Sequence, residues 1–379
     1  MSACLEEVTV RDGAAVLTFR AARPAVTLSF IWLRDHCPCA QCLHPETRQR
    51  LSDTLAIAPD IGPRAMSLQE DGRILALEWP DGHASRFDAR FLANLARDPQ
   101  RLPVARELWD AAQLLRHPPE VSYESFMASD AVLLEALESL ERCGLCWVEG
   151  VPGTPEATIA AAERIAYIRV TIFGGYYDFT GNLEHKDTAY TSLAIGPHTD
   201  GTYSFDAPGY QMFHCLAAQC TGGDSAFIDG FKIAAIMREH HPQDYDVLTS
   251  IAIPGQYRDH DRGVHLAAAR PLFRLNERGE LTQVSYNNHD RAPFLLPLEE
   301  SRRFYRALGI FARLAADPML QYRRRLLPGS VVFFDNWRLL HARDAYSGYR
   351  RLAGAYHNKE DIESRLRVLR RGANAANAA

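Results

Sequence analysis

This sequence lacks the features that would place it in a membrane or on a nucleic acid. None of its apolar runs approaches the roughly 18 residues that a membrane-spanning helix needs. The net charge is −5 over 379 residues, so no broad basic surface for nucleic acid is implied. Residues 1–7 are acidic and carry neither a secretory apolar core nor the Arg-rich pattern of a transit peptide. These absences predict a cytoplasmic protein without membrane or nucleic-acid partners.

The cysteines do not have the distribution of a disulfide framework. Three of the eight crowd into Cys37, Cys39 and Cys42, and such short spacing favours metal binding over disulfide bonds. Four others lie in apolar stretches, where we expect buried free thiols: Cys143, Cys146, Cys215 and Cys220. Apolar residues make up 47% of the chain, which is enough for a large core.

The first 98 residues read as a small antiparallel β domain. Turn signals such as Glu70-Asp71-Gly72 separate short apolar segments, which predict strands at 7–10, 15–19, 25–31 and 74–79. A polar, Pro-containing stretch follows, and we interpret residues 99–122 as a linker around a short helix at 104–115.

Residues 123–371 have the pattern of a second, larger domain. Short strands are predicted at 146–152, 209–216, 225–228, 251–253, 284–286 and 331–334. Helices are predicted at 123–127, 131–142, 155–167, 232–239, 244–249 and 298–315. Many short strands joined by polar loops favour a double-sheet jelly roll, giving a mainly β chain with helices (α+β). The Ala/Asn-rich end, 372–379, is expected to be a disordered tail.

The crowded cysteines predict a zinc site in the first domain. Three thiolates need a fourth ligand to close a tetrahedral site. His83, in the turn Trp79-Pro80-Asp81-Gly82-His83, is the candidate, with His36 and His44 as competitors that stand awkwardly close to the cysteines. A closed site of this kind would be structural, since it would stabilise a domain with a small core.

The second domain carries a candidate iron site. His198 and Asp200 are two residues apart, so on a strand both would face the same side. His341 follows the buried strand 331–334 and can supply a third ligand. Two imidazoles and one carboxylate are the ligand set of non-haem Fe(II) oxygenases, which leaves coordination positions open. The tripeptide alone is weak, because the chain has 14 histidines and 47 acidic residues.

A cation shortly after the third ligand suits a dicarboxylate cosubstrate. In a strand, Arg350 shares a face with Gly354 and Tyr356, while Arg351 lies on the other face. We therefore predict that Arg350 binds the far carboxylate of 2-oxoglutarate as a bidentate clamp, and that Arg351 is a surface charge. Ser225, after the turn Thr221-Gly222-Gly223-Asp224, is a candidate to assist the clamp.

These residues resemble one known family, the Fe(II)/2-oxoglutarate hydroxylases of carnitine biosynthesis. The resemblance covers nearly the whole chain and rests on several motifs: Trp32-Leu33-Arg34-Asp35-His36-Cys37, His198-Thr199-Asp200, Phe213-His214-Cys215-Leu216, Asp229-Gly230-Phe231 and Asp335-Asn336-Trp337-Arg338. It implies a zinc-binding amino-terminal domain, a double-stranded β-helix catalytic domain and a homodimer. It also implies Fe(II), 2-oxoglutarate, structural Zn(II), O₂ and ascorbate as a reductant.

Within that family the chain is more similar to the trimethyllysine dioxygenases than to the γ-butyrobetaine dioxygenases. Asp187 would attract an α-ammonium group, which trimethyllysine has, and would repel a substrate carboxylate. Gly201 stands where the butyrobetaine enzymes carry an aromatic residue, whereas the Cys-x-Cys-x-x-Cys spacing resembles the butyrobetaine zinc domain. The resemblance implies that the quaternary ammonium of the substrate binds aromatic faces, those of Tyr177, Tyr190 and Tyr356. Asn288 is a further candidate, for the substrate carboxylate.

Two rival functions remain at this point. One is γ-butyrobetaine hydroxylation, or oxidation of another trimethylammonium compound. The other belongs to a different class, a catalytically silent, zinc-stabilised protein that binds quaternary amines. The complete candidate triad together with Arg350 favours an enzyme.

Overall fold

The computed structural model describes residues 3–20, 24–95, 106–179 and 191–376. The chain divides into two compact units, Met1–Pro103 and Val104–Ala379. The predicted domain boundary at residue 98 lies outside the described residues. Each unit has its own hydrophobic core, as expected for separately packed domains.

The described part of the first unit contains two three-stranded antiparallel sheets, in the orders β1-β2-β3 and β4-β5-β6. Its elements are β1 (Leu5–Arg11), β2 (Ala14–Phe19), β3 (Val26–Ser29), α1 (Phe30–Asp35), β4 (Ala65–Gln69), β5 (Ile74–Glu78), β6 (Ala84–Asp88) and α2 (Ala89–Leu95), with a 3₁₀ turn at Thr54–Ala56.

One strand of this unit is shorter than predicted. The sequence pattern extends a strand over 25–31, but β3 ends at Ser29. The Ser29 hydroxyl accepts a hydrogen bond from the Trp32 backbone N–H and so caps the start of α1. The helix then presents Phe30 and Leu33 to the core of the unit, as buried residues.

The described part of the second unit is larger and mixed. Its strands are β7 (Glu120–Ser122), β8 (Leu145–Glu149), β9 (Tyr176–Phe179), β10 (Ile195–His198), β11 (Tyr210–Gly222), β12 (Ser225–Asp229), β13 (Ile253–Asp259), β14 (Val264–Arg270), β15 (Phe273–Leu275), β16 (Leu281–Val284), β17 (Gln321–Arg324), β18 (Ser330–Asp335), β19 (Leu339–Arg343) and β20 (Tyr346–His357). Its helices are α3 (Ala111–Arg116), α4 (Tyr123–Ala128), α5 (Asp130–Cys143), α6 (Pro155–Ile165), α7 (Gly230–His240), α8 (Pro242–Ser250), α9 (Leu298–Ala316) and α10 (Lys359–Ala376), with a 3₁₀ turn at Pro318–Leu320.

Two sheets of the second unit pack face to face. Among the described strands, one sheet has the order β7-β8-β18-β11-β20-β9 and the other β10-β19-β12-β17. Strand β18 shows the alternation that this packing requires, because Val332 and Phe334 enter the core between the sheets whereas Val331 and Phe333 enter the core beneath the helices. Phe227 of the smaller sheet makes an edge contact with Phe334, at a centroid distance of 5.2 Å. The jelly-roll prediction is confirmed.

Helices cover the outer faces of both sheets. Helices α4, α5, α6 and α10 pack on the larger sheet through one apolar cluster, and α7, α8 and α9 form another with the smaller sheet. Among the described helices, none combines the length and the apolar character that a bilayer span requires.

Two predicted boundaries are wrong. The described residues of the expected linker, 106–122, belong to the second unit, since β7 pairs in parallel with β8 and Trp109 Nε1 donates to Cys143 O at 2.7 Å. Burial of the Trp109 indole outweighs the polar composition that indicated a linker. The described part of the expected tail, residues 372–376, is helical, because α10 continues to Ala376; alanine is the residue most favourable to helix.

Candidate active site and metal clusters

His198, Asp200 and His341 come together between the two sheets of the second unit. His198 ends β10 and lies opposite His341 of β19. Asp200 Oδ1 lies 3.3 Å from His198 Nε2 and 3.7 Å from His341 Nε2. The three ligand atoms lie within 4.8 Å of one another, so one metal ion can contact all three. Asp200 lies beyond the end of β10, so a bend, and not strand alternation alone, brings it to the site.

The hydrogen bonds and charges of this cluster suit a metal ion. His198 Nδ1 lies 2.9 Å from Gly196 O, which directs its other nitrogen to the site. Burial, together with the neighbouring His198, lowers the pKa of His341 to about 3. Burial alone would raise the pKa of Asp200, but His341 and His198 outweigh it and lower that pKa. Burial would lower the pKa of His198, but its hydrogen bond to Asp200 outweighs this and raises it. Metal binding needs neutral imidazole and ionised carboxylate, which are the states that the pKa shifts favour at His341 and Asp200.

Asn336 positions the main chain of Asp200. Its Oδ1 accepts a hydrogen bond from the Asp200 N–H at 2.8 Å, and its Nδ2 donates to Asp200 O at 3.0 Å. The same amide donates to Pro208 O at 2.9 Å. Asn336 is buried in the turn between β18 and β19. This contact holds the bend that carries Asp200 beside the two histidines.

Arg350 and Ser225 line the same cavity as the triad. Arg350 is buried in β20, and its Cζ lies 5.6 Å from the centroid of the Tyr346 ring. Among the described residues, no carboxylate pairs with the Arg350 guanidinium, and burial lowers its pKa. Arg351, on the opposite face of β20, donates to both oxygens of Asp178. A buried guanidinium without an acidic partner suits an anionic ligand.

The predicted substrate residues have unequal positions. Tyr356 lines the cavity, and its hydroxyl donates to Asp200 Oδ2 at 2.7 Å. Tyr177 is buried behind it, with the two ring centroids 5.1 Å apart, and is not among the residues that line the cavity. Asn288 is exposed in a turn and does not line the cavity either, whereas its neighbour Asn287 does. Asp187 and Tyr190 lie outside the described residues.

Sequence reasoning missed several polar residues of the cavity. Gln211 is buried beside Tyr356, and Asp290 accepts hydrogen bonds from Asn287 Nδ2 at 2.9 Å and from the Thr202 hydroxyl at 3.2 Å. Gln211 could have been identified from the sequence, because a glutamine inside the apolar strand Tyr210-Gln211-Met212-Phe213 needs a buried polar partner. Asp290 left no comparable signal in a polar turn.

The first unit contains the second metal-ligand cluster. His83 Nε2 lies 3.1 Å from Cys37 Sγ, 3.5 Å from Cys42 Sγ and 3.6 Å from Cys39 Sγ. All four ligand atoms lie within 4.8 Å of one another. Burial raises the pKa of Cys37 to about 11, so a bound cation is needed to keep that thiol ionised. Three thiolates and an imidazole are a common structural zinc set.

The competing histidines are engaged elsewhere. His36 stacks on Trp32 with a centroid distance of 4.1 Å, and its Nδ1 lies 2.9 Å from Trp32 O. His44 Nδ1 accepts from the backbone N–H groups of Glu46 and Thr47. Arg34 donates to Cys42 Sγ and to Asp81, next to the turn that presents His83.

Comparison with known proteins agrees with this geometry. Residues 106–356 match the family described as taurine catabolism dioxygenase TauD, TfdA family, and residues 11–93 match the gamma-butyrobetaine hydroxylase-like amino-terminal family. The trimethyllysine dioxygenase of Meyerozyma guilliermondii is 34% identical over 96% of both chains. The mitochondrial trimethyllysine dioxygenase of Gallus gallus is 36% identical, over 93% of this chain and 86% of its own. The gamma-butyrobetaine dioxygenase of Pseudomonas sp. (strain AK-1) is 35% identical over 90% of both.

The fold and the His-Asp-His cluster define an Fe(II)- and 2-oxoglutarate-dependent dioxygenase, an oxidoreductase. The chain belongs to the TauD/TfdA family of dioxygenases. The catalytically silent binding protein is therefore no longer a rival. The identity is 36% to the Gallus gallus trimethyllysine dioxygenase and 35% to the Pseudomonas gamma-butyrobetaine dioxygenase, so the choice between the two substrates depends on the residues of the cavity.

Proposed function

We propose that this protein hydroxylates N6,N6,N6-trimethyllysine to its 3-hydroxy product, using O₂ and 2-oxoglutarate. One observation carries the reaction: the His-Asp-His cluster and Arg350 line a single cavity. The substrate class is supported by similarity to trimethyllysine dioxygenases over more than nine-tenths of the chain. A reaction of this kind serves carnitine biosynthesis.

We assign iron to His198, Asp200 and His341. Bound Fe(II) supplies the activation of O₂ that is coupled to oxidative decarboxylation of 2-oxoglutarate to succinate and CO₂. The protein's own part is to hold the ligands and to exclude solvent. Phe334 and Phe213 pack on His341 at centroid distances of 5.0 and 5.7 Å, so the imidazole is held in one place away from water.

Arg350 is assigned to the far carboxylate of 2-oxoglutarate. The guanidinium fork matches a carboxylate with two parallel hydrogen bonds, which a lysine could not reproduce. The aromatic face of Tyr346 and the strand pairing of β20 with β11 hold the side chain in position. Ser225, at the start of β12, lines the cavity and can add a hydroxyl donor.

The trimethylammonium group of the substrate is assigned to aromatic rings. A quaternary ammonium cannot donate ordinary N–H hydrogen bonds, so ring faces are its natural receptor. The cavity is lined by Phe173, Phe179, Tyr203 and Tyr356. Tyr177 packs between two of these rings, 4.9 Å from Phe179 and 5.1 Å from Tyr356, and supports them. Tyr190 stays a prediction for this receptor, on the family resemblance alone.

The amino-acid end of the substrate is assigned to acidic and amide groups. Trimethyllysine carries an α-ammonium group, which γ-butyrobetaine lacks, and a carboxylate near the cavity favours that cation. Asp290 lines the cavity beside Asn287, and Asp187 is the other acidic candidate. Asn287 replaces Asn288 as our candidate for the substrate carboxylate, because it lies at the cavity.

γ-Butyrobetaine hydroxylation is the second candidate. It is supported by the match of residues 11–93 to the gamma-butyrobetaine hydroxylase-like amino-terminal family and by the Pseudomonas relative. The difference between the two substrates lies at the end away from the trimethylammonium group, so the acidic residues at that end decide the preference.

The test is succinate formation from 2-oxoglutarate across a panel of quaternary amines. We expect the highest kcat/KM with trimethyllysine and lower values with γ-butyrobetaine. Trimethyllysine without its α-ammonium group serves as a matched probe of the acidic residues. Preference for γ-butyrobetaine would overturn the substrate, and no succinate with any amine would overturn the reaction.

Asp187→Asn sharpens this test. We expect it to lower kcat/KM for trimethyllysine more than for γ-butyrobetaine, because removing the charge weakens the attraction to the α-ammonium group. Asp178→Asn is the control, since Asp178 pairs with Arg351 on the face of β20 away from the cavity. The reverse ordering of the two substrates would contradict our choice.

Zinc, assembly and location complete the proposal. We propose a structural zinc on Cys37, Cys39, Cys42 and His83, and ascorbate as the reductant that preserves Fe(II). We also propose that the protein is a homodimer in solution and that its location is cytoplasmic. Metal analysis should give one zinc and one iron per chain, and light scattering should give twice the chain mass. A monomer by light scattering, or recovery of the protein with an organelle fraction, would overturn the corresponding assignment.

A further inference from the structure

The two oxygens of the Asp200 carboxylate have different surroundings. Oδ1 faces both imidazoles, 3.3 Å from His198 Nε2 and 3.7 Å from His341 Nε2. Oδ2 faces the other way and accepts a hydrogen bond from the Tyr356 hydroxyl at 2.7 Å. One oxygen is thus directed to the metal-ligand cluster, and the other is held by a tyrosine.

The direction of this hydrogen bond follows from the available protons. An ionised carboxylate can only accept, so the Tyr356 hydroxyl must donate its single proton to Asp200. The hydroxyl oxygen can then only accept, and it accepts a hydrogen bond from Gln211 Nε2 at 3.3 Å. The second N–H of the same amide goes to the Tyr177 hydroxyl at 3.1 Å. Gln211 can play this part only with its NH₂ group towards the tyrosines.

Strand register places Gln211 for this role. Gln211 of β11 lies directly opposite Tyr356 of β20, and it is almost completely buried, with a relative exposure of 1%. Its Oε1 has no hydrogen-bond partner among the described residues. The opposite amide orientation would offer an oxygen to the Tyr356 proton and so draw it away from Asp200. The Gln211 carbonyl oxygen therefore stays without a hydrogen bond, at a cost in free energy, while the Gln211 NH₂ group donates to the tyrosines.

From this arrangement we infer that Gln211 and Tyr356 are positioning residues that keep Asp200 bound to the metal through Oδ1 alone. A carboxylate that turned to bind through both oxygens would occupy one of the positions that 2-oxoglutarate and O₂ need. The Tyr356 ring also lines the cavity, so one side chain contacts both the substrate space and the metal ligand. The inference rests on the proposed iron site.

Tyr356→Phe tests it, because the variant keeps the aromatic ring and removes only the hydroxyl. The probe is Co(II), titrated without oxygen into protein whose first-unit cluster is already loaded with zinc. The weak d–d absorption of the His/Asp site reports occupancy, and His198→Ala provides the blank. We expect about tenfold weaker Co(II) binding, the lower end of what loss of such a hydrogen-bond partner costs a metal site. The d–d spectrum should also change, because the carboxylate can now bind through two oxygens.

Two further variants separate positioning from packing. Gln211→Glu has the same shape but replaces the donor with acceptors, and it should weaken Co(II) binding as Tyr356→Phe does. Tyr177→Phe is the matched control, because it removes a hydroxyl that also accepts a hydrogen bond from Gln211 but does not contact Asp200. Its Co(II) affinity and spectrum should stay near those of the wild type. Thermal melting of each variant checks folding.

The outcomes distinguish the inference from the function on which it rests. Wild-type Co(II) affinity and spectrum in Tyr356→Phe would overturn the inference and leave the iron site in place, even if turnover fell. An equal loss of affinity in Tyr177→Phe would also overturn it, since general repacking would then explain the effect. A wild-type protein without a His198-dependent Co(II) site would overturn both.

Discussion

The two metal-ligand clusters found within the described parts of the chain differ in the number and the chemistry of their donors. The first unit offers four donors, three of them thiol sulfurs, and the second offers two imidazoles and one carboxylate. Four donors saturate a tetrahedral zinc ion, whereas three donors leave positions for cosubstrate and O₂. Counting ligand groups therefore separates a structural site from a catalytic one before any other property is considered.

The clusters also differ in what holds them. Three donors of the first lie within six residues of one loop, and His83 comes from the turn between β5 and β6. The donors of the second come from β10, from the bend after it and from β19, which are parts of one hydrogen-bonded sheet. A loop cluster orders its surroundings when the metal binds, whereas a sheet cluster is already ordered without it.

Removal of one iron ligand should give the largest effect. We expect His198→Ala to lower succinate formation by more than about 1000-fold, because two remaining donors cannot hold Fe(II) for O₂ activation. The thermal stability of the apoprotein should change little, because the sheet holds the cluster. Turnover assays and calorimetry check the two expectations. Retained turnover would end the iron assignment.

Removal of one zinc ligand should affect folding instead. We expect Cys42→Ser to lose zinc and to lower the free energy of unfolding of the first unit by more than about 4 kcal/mol, as loss of a structural metal does. Zinc analysis and thermal melting measure both. Cys4→Ser is the control, because Cys4 lies in the same unit outside the cluster. Unchanged zinc content in Cys42→Ser would contradict the assignment of a structural zinc site to this cluster.

The smallest effect should come from the cosubstrate clamp. We expect Arg350→Lys to raise the KM for 2-oxoglutarate by about 10- to 100-fold, the equivalent of a lost charge-assisted hydrogen bond. Arg351→Lys is the matched control: it sits one residue away on the other face of β20 and should change the KM less than about twofold. Equal effects of the two changes would contradict the assignment of Arg350.

Much of the fold and the site was predictable from local patterns. The continuous apolar run Val331–Phe334 indicated a buried strand, β18. Strand parity separated Arg350 from Arg351, which point to opposite faces of β20. The loop spacing of the cysteines indicated the first cluster. Each of these patterns depends on residues within one element, so the local sequence alone indicates it.

Other features depended on contacts between distant elements. The roles of Asn336 and Gln211 follow from hydrogen bonds to Asp200 and Tyr356, which lie more than 130 residues away along the chain. Residues 106–122 had the composition of a linker, yet Trp109 buries its indole in the second unit. No local pattern indicates which distant partner a polar or aromatic side chain will find.

The amino-acid sequence by itself determined the donor chemistry of both clusters, because thiol, imidazole and carboxylate groups select metals whatever fold presents them. Tertiary structure alone decided which carboxylate oxygen faces the histidines, and it brings His83, which the sequence already favoured, next to the cysteines. The physical reason is directionality: ligand bonds and hydrogen bonds require an atom within about 3 Å at a suitable angle, and only packed sheets and turns specify such positions.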